Sequence, residues 1–129
     1  MKLLLDTHAL LWWFTDDERL SHPARAAIGD EANQVFVSAA SAWEISVKHR
    51  LGKLTQAPGA VSRFDELVAA DGFEHLPIRH YHALKAGAYA QAHADPFDRM
   101  LVAQCELEDL QIVSRDTVFS QLFGVKAIW

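Results

Sequence analysis

The chain has 129 residues, of which 50% are hydrophobic and 22% charged, and a formal net charge of −5. This size and composition predict one domain spanning residues 1–129, and no apolar run is long enough to cross a membrane. The acidic balance argues against a general nucleic-acid-coating protein, although a nuclease with an acidic, metal-loaded site is compatible with it.

The first half of the chain predicts two strands separated by helices. In chain order the pattern predicts a strand at 2–5, a short helix at 8–14, a helix at 23–28 after Ser21, a strand at 35–37, and a helix from Ser38 or Ser41 to about Leu51. Gly52 is typical of a residue that ends a helix.

The second half continues the alternation. It predicts a helix at 60–70, a strand at 73–78, a helix at 81–92, a helix from the cap Asp95 to about Glu108, a strand at 110–113, a short helix at 117–122 and a weaker strand at 125–128. Strands that alternate with helices predict an α/β fold, with a central parallel sheet of about four to five strands and helices on both faces.

The cysteine content and the start of the chain bear on the compartment. Cys105 is the only cysteine, which excludes an internal disulfide and favours a reducing cytoplasm. The apolar opening is interrupted by Asp6 and His8 with no cleavage-site pattern after them, so we expect no signal peptide. We expect a cytoplasmic protein with no membrane association.

Acidic residues recur at the edge of the sheet where an α/β fold of this kind binds its ligands. Asp6 follows the first strand, Asp116 follows the strand at 110–113, and Asp98 lies in the first turn of the helix that Asp95 begins. The carboxyl ends of parallel strands and the N-termini of the crossover helices share one edge of the sheet. Carboxylates gathered there repel one another unless a cation or shared protons offset the charge. The pattern therefore predicts a divalent metal with oxygen ligands.

The aspartates just described also have structural explanations. Asp6, Asp95 and Asp116 can each cap the helix that follows, and Asp98 can be favoured by the helix dipole. A shared functional edge accounts for all of them more simply than separate capping roles.

Glu44 has two interpretations that the sequence leaves nearly balanced. If Ser41 begins the helix, Glu44 closes a capping box. If Ser38 begins it, Glu44 lies a turn further in, and a carboxylate in so apolar a segment faces a polar site.

Four segments resemble the PIN domain family, and within it the VapC-type toxin ribonucleases of bacterial toxin–antitoxin pairs. They are residues 5–12, 37–45, 93–104 and 113–116, in the family's order and at its spacing, so the resemblance covers essentially the whole chain. The His-x-Asp-Pro-Phe-Asp-Arg stretch is specific, whereas an isolated strand-end aspartate is not. The resemblance implies a metal-dependent endoribonuclease that hydrolyses RNA phosphodiester bonds.

The resemblance also implies roles for single residues. The three core acids of the family correspond to Asp6, Glu44 and Asp98, and its variable fourth acid corresponds to Asp116. Asp6 and Asp98 are the expected direct ligands of Mg²⁺ or Mn²⁺, while Glu44 and Asp116 would act through water or hold a second ion. The expected supporting residues are Thr7, Asp95, Arg99 and Ser114.

Basic residues near these acids have simpler explanations than catalysis. Arg99 and Arg115 can hold a phosphate or pair with a neighbouring carboxylate, and we expect pairing for each. His8 and His93 are expected to form local hydrogen bonds rather than bind metal. The basic cluster over 48–53 is expected to be a solvated helix end, where cations are favoured.

The resemblance further implies partners. Such proteins work as homodimers and are silenced by a cognate antitoxin, whose C-terminal segment lies in the groove and puts a basic side chain near the acids. RNA is then the substrate. Trp12, Trp13 and Phe14 are candidates for the groove or the dimer face, although we expect at least one of them to lie in the core.

Three alternatives remain open from the sequence. A haloacid-dehalogenase-like phosphatase also begins with a strand-end aspartate, but it needs a second aspartate two residues later, where His8 stands. A response-regulator receiver needs an aspartate after the third strand, where the chain has Pro77, Ile78 and Arg79. A catalytically inactive PIN-fold binding module would not need the four acids that this chain retains.

Overall fold

The structure confirms the predicted alternation of strands and helices. A computed structural model describes residues 1–129, with five strands and seven helices. The elements are β1 (Lys2–Leu5), α1 (Thr7–Phe14), α2 (His22–Gly29), β2 (Gln34–Ser38), α3 (Ala39–Arg50), α4 (Phe64–Ala70), β3 (Glu74–Leu76), α5 (His80–Ala88), α6 (Pro96–Glu108), β4 (Gln111–Val113), α7 (Val118–Gln121) and β5 (Ala127–Ile128). The strands form one parallel sheet in the order β3-β2-β1-β4-β5.

Helices cover both faces of the sheet, because successive side chains of a strand point to opposite sides. Leu3 and Leu5 pack with buried residues of α1, α2 and α4, whereas Leu4 packs with buried residues of α6 and α7. Each face therefore has its own apolar core. The run of three buried leucines in β1 is the sequence signature of a strand that is covered on both sides.

The strand register brings three polar residues to the same edge of the sheet. Leu5 of β1 is paired with Val37 of β2 and with Val113 of β4. The residues that follow them, Asp6, Ser38 and Ser114, therefore lie at the same level at the carboxyl ends of the three central strands. This edge is where the sequence places the acidic site.

Ser38, not Ser41, begins helix α3. The hydroxyl oxygen of Ser38 accepts a hydrogen bond from the Ala40 amide at 2.9 Å, while Ser41 lies buried inside the first turn. The capping box between Ser41 and Glu44 is therefore wrong. Glu44 lies in the second turn of the helix, as the other interpretation predicted.

Two predicted helices are shorter in the structure. The segment 60–63, predicted as helix, forms turns before α4, because the buried residues Ala57 and Ala60 anchor it to the core in an irregular path. The helix predicted to reach 92 ends at Ala88. The carbonyl groups of Ala86 and Tyr89 accept hydrogen bonds from the Arg99 guanidinium, at 3.0 and 2.7 Å, instead of continuing the helical pattern.

Several other sequence predictions hold. The remaining element bounds agree with the predicted ones to within two residues. Trp12 lies in the core with an exposed fraction of 7%, as expected for at least one of the three aromatic residues. None of the helices combines the length and the hydrophobicity that crossing a membrane requires.

A buried polar network ties the sheet to α6. The Ser38 hydroxyl donates to the side-chain oxygen of Gln104 at 2.5 Å, and the Gln104 amide donates to the Pro77 carbonyl at 3.2 Å. Gln104 is fully buried. The network therefore fixes the end of β2 against the helix that carries Asp98.

Gln104→Ala is expected to lower the free energy of unfolding by about 3 kcal/mol, because it leaves buried hydrogen-bonding groups unpaired and opens a cavity. Urea unfolding measures the change. The matched control is Gln121→Ala at an exposed helical position, expected to stay within about 0.5 kcal/mol. Equal losses in the two variants would contradict the role given to this network.

Candidate active site

Asp6 is a buried carboxylate held by two hydrogen bonds. One of its oxygens accepts from the Ala9 amide at 2.7 Å, which caps α1, and the other accepts from the Ser114 hydroxyl. The residue is 7% exposed. Burial raises the pKa of Asp6, and the two hydrogen bonds partly oppose that rise. The Asp6 side chain therefore caps α1 and also lies at the carboxyl edge of the sheet.

Ser114 links Asp6 to Asp116. Its hydroxyl oxygen accepts a hydrogen bond from the Asp116 amide at 3.0 Å while its hydrogen goes to Asp6. Asp116 is exposed, and its own carboxylate accepts from the Val118 amide at 3.0 Å at the start of α7. Asp6 and Asp116 together line an open cavity of about 240 Å³. The structure therefore brings the first and fourth predicted acids to one cavity.

Glu44 lies half-buried in the second turn of α3. Burial is the main cause of the raised pKa of Asp6 and of Asp98, and the Glu44 charge adds a small further increase to each. Lys48, one turn later on α3, forms an ion pair with Glu44 at 3.2 Å. The predicted supporting residue Thr7 donates to the Ser41 hydroxyl at 3.1 Å, which ties α1 to the helix that bears Glu44.

Asp98 lies in the first turn of α6 and does not line the cavity of Asp6 and Asp116. Asp95 begins this helix, and its carboxylate accepts from the amides of Phe97 and Asp98, at 2.9 and 3.3 Å. The Asp98 carboxylate forms a hydrogen bond of 2.9 Å with the His93 ring. Burial, above all, raises the pKa of Asp98 to about 6, with smaller increases from the Asp95 and Glu44 charges and an opposing effect of His93. Asp95 therefore caps α6, and Asp98 is the half-buried acid of its first turn.

The pairing expected for Arg99 and Arg115 is wrong. The Arg99 guanidinium donates to four backbone carbonyls, those of Ala86, Tyr89, Gln91 and His93, at 2.7 to 3.0 Å. It therefore holds the segment between α5 and α6, including the residue that contacts Asp98. Arg115 lies over the Trp12 ring at 4.8 Å in the cavity that contains Asp6. Arg99 thus contacts backbone carbonyls and Arg115 an aromatic ring, and neither pairs with a carboxylate. The sequence does not show that these groups lie near the two arginines.

The local hydrogen bond expected for the two histidines is confirmed only for His93, which bonds to Asp98. The expectation is wrong for His8, whose ring stacks on Trp12 with centroids 5.6 Å apart and forms no hydrogen bond. Lys48, His49 and Arg50 occupy the last turn of α3. The partnership of Lys48 with Glu44 escaped the sequence analysis, although the spacing of four residues on a helix is a signal for such a pair.

The donor chemistry at this edge fits a hard divalent cation. Neither Asp6 nor Asp98 has a lysine or arginine partner, and burial raises the pKa of both. Carboxylates that share such a region favour a cation with oxygen ligands. The side chains keep separate partners, and no three acidic, histidine or cysteine side chains are close enough together to form a ready-made metal cluster.

The comparisons with known proteins agree with this architecture. The PIN domain model matches residues 3–123, and the chain belongs to the PIN domain family. Ribonuclease VapC16 from Mycobacterium tuberculosis is 35% identical over 72 residues, which cover 56% of this chain and 48% of that protein. The chain thus spans about half the length of this curated relative.

One solved structure shares the fold at low sequence identity. It is described as VapBC2 from Rickettsia felis bound to a DNA fragment from its promoter. The match has a TM-score of 0.70 and 11% identity, and it covers 98% of this chain and 97% of that one. Family membership sets aside the phosphatase and receiver alternatives.

Asp98→Asn is expected to raise the free energy of unfolding by about 1–2 kcal/mol near pH 8 without divalent metal, because it removes a buried charge but keeps an acceptor for His93. The pKa of Asp98 is about 6 in the folded state, against an ordinary value of 3.8. Between these pH values the folded state therefore binds more protons than the unfolded state. The stability of the parent should therefore fall as pH rises from about 4 to 6, and the variant should lack that fall. Urea unfolding across this range measures both effects.

The control for Asp98→Asn is Glu31→Gln, which removes the same charge at an exposed site. It should keep the pH dependence of the parent. An Asp98→Asn variant with the same pH dependence as the parent would show that this carboxylate is not the strained group.

Arg99→Met is expected to lower the free energy of unfolding by about 3 kcal/mol, because four carbonyl groups lose a charged donor. Arg99→Lys should recover part of the loss, since an ammonium group reaches fewer of these carbonyls. Hydrogen exchange should speed up at residues 89–93 in both variants. Exposed Arg50→Met is the control, and unchanged exchange in Arg99→Met would contradict the assigned role.

Proposed function

We propose that this chain is a metal-dependent endoribonuclease, the toxin of a toxin–antitoxin pair. The observation that carries the proposal is the placement of three buried or half-buried acids, Asp6 after β1, Glu44 on α3 and Asp98 on α6, on elements that end or begin at the carboxyl edge of the parallel sheet. Burial raises the pKa of Asp6 and Asp98. The family membership and the ribonuclease name of the curated relative support RNA as the substrate.

The proposed cofactor is Mg²⁺, with Mn²⁺ as a substitute, since both accept carboxylate and water ligands. Asp6 and Asp98 would hold the ion directly, and Glu44 and Asp116 would act through water or hold a second one. A bound ion would neutralise phosphate charge and activate a water molecule for attack on phosphorus. This chemistry needs no nucleophilic side chain.

The remaining residues orient these acids. Ser114 directs one oxygen of Asp6, and its position between Asp6 and Asp116 keeps both acids at one cavity. His93 holds Asp98, and Arg99 holds the segment that carries His93. We propose that these contacts fix the carboxylate geometry before substrate binds, which lowers the reorganisation needed for reaction.

A protein partner fits the apolar surface beside Asp98. Trp43 is 59% exposed on α3, next to Glu44, and with Ile78, Phe97 and Met100 it lines an apolar groove. Exposed apolar patches of this kind are typical of protein contacts. We propose that a cognate antitoxin segment covers this groove and that the toxin forms a homodimer in the cytoplasm. The VapBC2 description of the structural neighbour supports an antitoxin partner.

The test of the function is cleavage of a mixed cellular RNA pool by the purified chain with Mg²⁺, with Mn²⁺ and with chelator. Cutting is expected with either metal and not with chelator. Asp6→Asn and Asp98→Asn should each lower the rate by more than about a hundredfold with the fold retained, because each removes a proposed ligand. Asp95→Ala should cost about 1 kcal/mol of stability as a lost cap and reduce the rate much less.

Circular dichroism of each variant serves as the folding control, and Glu31→Gln serves as the charge control. A folded Asp6→Asn or Asp98→Asn that cuts at the parent's rate would overturn the assigned site. A folded parent that cuts no RNA with any metal would favour a binding role for this PIN domain.

A further inference from the structure

A second cavity, of about 320 Å³, shares Trp12 with the cavity that contains Asp6 and Asp116. It lies between α1, the end of α3 and the loop that follows α3. The basic residues Arg19, Lys48 and Lys53 line it, together with His8 and the polar side chains of Thr15, Thr55 and Gln56. We call it the basic cavity. On a chain with a net charge of −5, such a collection of cations at one cavity is a local exception.

The basic cavity adjoins the cavity that holds Asp6 and Asp116. Both are lined by His8 and Trp12. The exposed His8 ring stacks on Trp12, with planes at 29°, and so stands at the border between the acidic and basic sides. Lys48 is a second connection, because its ammonium group lines the basic cavity and contacts Glu44.

The three cations differ in their freedom to bind a ligand. Arg19 is held by Asp17, at 2.7 and 3.0 Å, and by the Gln56 side chain at 2.7 Å, so much of its charge is already paired. Lys48 is paired with Glu44. Lys53 is exposed and has neither an ion pair nor a side-chain hydrogen bond. Lys53 is therefore the cation most available to an anion.

We propose that the basic cavity binds a backbone phosphate of single-stranded RNA, one or a few nucleotides from the bond that the acids cut. This inference rests on the proposed function. An RNA strand that crosses the acidic cavity must carry phosphates on either side, and lysine is a common ligand for phosphate. The lining separates this cavity from the apolar groove beside Trp43, because most residues of the basic cavity are polar or charged, whereas most residues of the groove are hydrophobic.

The test measures the binding of fluorescent single-stranded RNA to the Asp98→Asn chain, with and without Lys53→Gln, over a range of salt concentrations. Lys53→Gln should raise the Kd about tenfold at low salt. It should also lower the slope of log Kd against log salt by about 0.7. In the otherwise unchanged chain, Lys53→Gln should raise the KM for RNA cleavage by a similar factor and change kcat by less than about twofold.

The matched control is Lys126→Gln, which removes the same charge from an exposed lysine at the opposite edge of the sheet, and it should leave Kd, salt slope and KM unchanged. Equal effects of the two lysine changes on RNA binding would overturn the proposal, because only total charge would then matter. A Lys53→Gln chain that binds RNA normally but loses antitoxin binding would also overturn it and assign the cavity to an acidic peptide. Failure of the unchanged chain to cut RNA would reject the proposed nuclease, while the binding measurement would still decide for or against the cavity.

Discussion

The hydrogen bond from Ser114 to Asp6 is the contact on which the candidate site depends. It joins the ends of the neighbouring strands β1 and β4, and it supports a carboxylate that the fold has placed in an almost completely buried position. An unpaired carboxylate there would cost several kcal/mol. Ser114, together with the Ala9 amide, makes the position tolerable without neutralising the charge. The Asp6 carboxylate therefore remains available to a cation, and the ends of β1 and β4 remain joined by the hydrogen bond.

The neighbouring acids show the same compromise between stability and function. Burial raises the pKa of Asp98 to about 6, and Glu44 repels both Asp98 and Asp6. Two contacts partly offset these unfavourable effects: the hydrogen bond between His93 and Asp98, and the ion pair between Lys48 and Glu44. Groups of titratable residues with shifted pKa values are typical of functional sites. A cation bound beside these carboxylates would offset the repulsion between them.

Capping and function are not competing roles in this protein. Asp6 caps α1 with one oxygen and meets Ser114 with the other, and Asp95 caps α6 so that Asp98 lies in its first turn. A parallel sheet places helix N-termini at the edge where its ligands bind, so an acid that caps a helix there also lies beside that edge. This is why the capping interpretation of each acid was correct for Asp6 and Asp95 and still did not argue against a site.

The sequence by itself determined the α/β class, the strand positions, the caps Asp6 and Asp95, and the elements that carry the four acids. These depend on local properties: apolar runs, β-branched residues and capping side chains. It did not determine that Ser38 begins α3, that the helix after 80 ends at Ala88, or that Arg99 binds carbonyls rather than a carboxylate. The sequence also did not show two cavities, the one shared by Asp6 and Asp116 and the one lined by Lys53. Only the tertiary structure decided these features, because each depends on groups far apart in the chain that strand register and helix packing bring into contact.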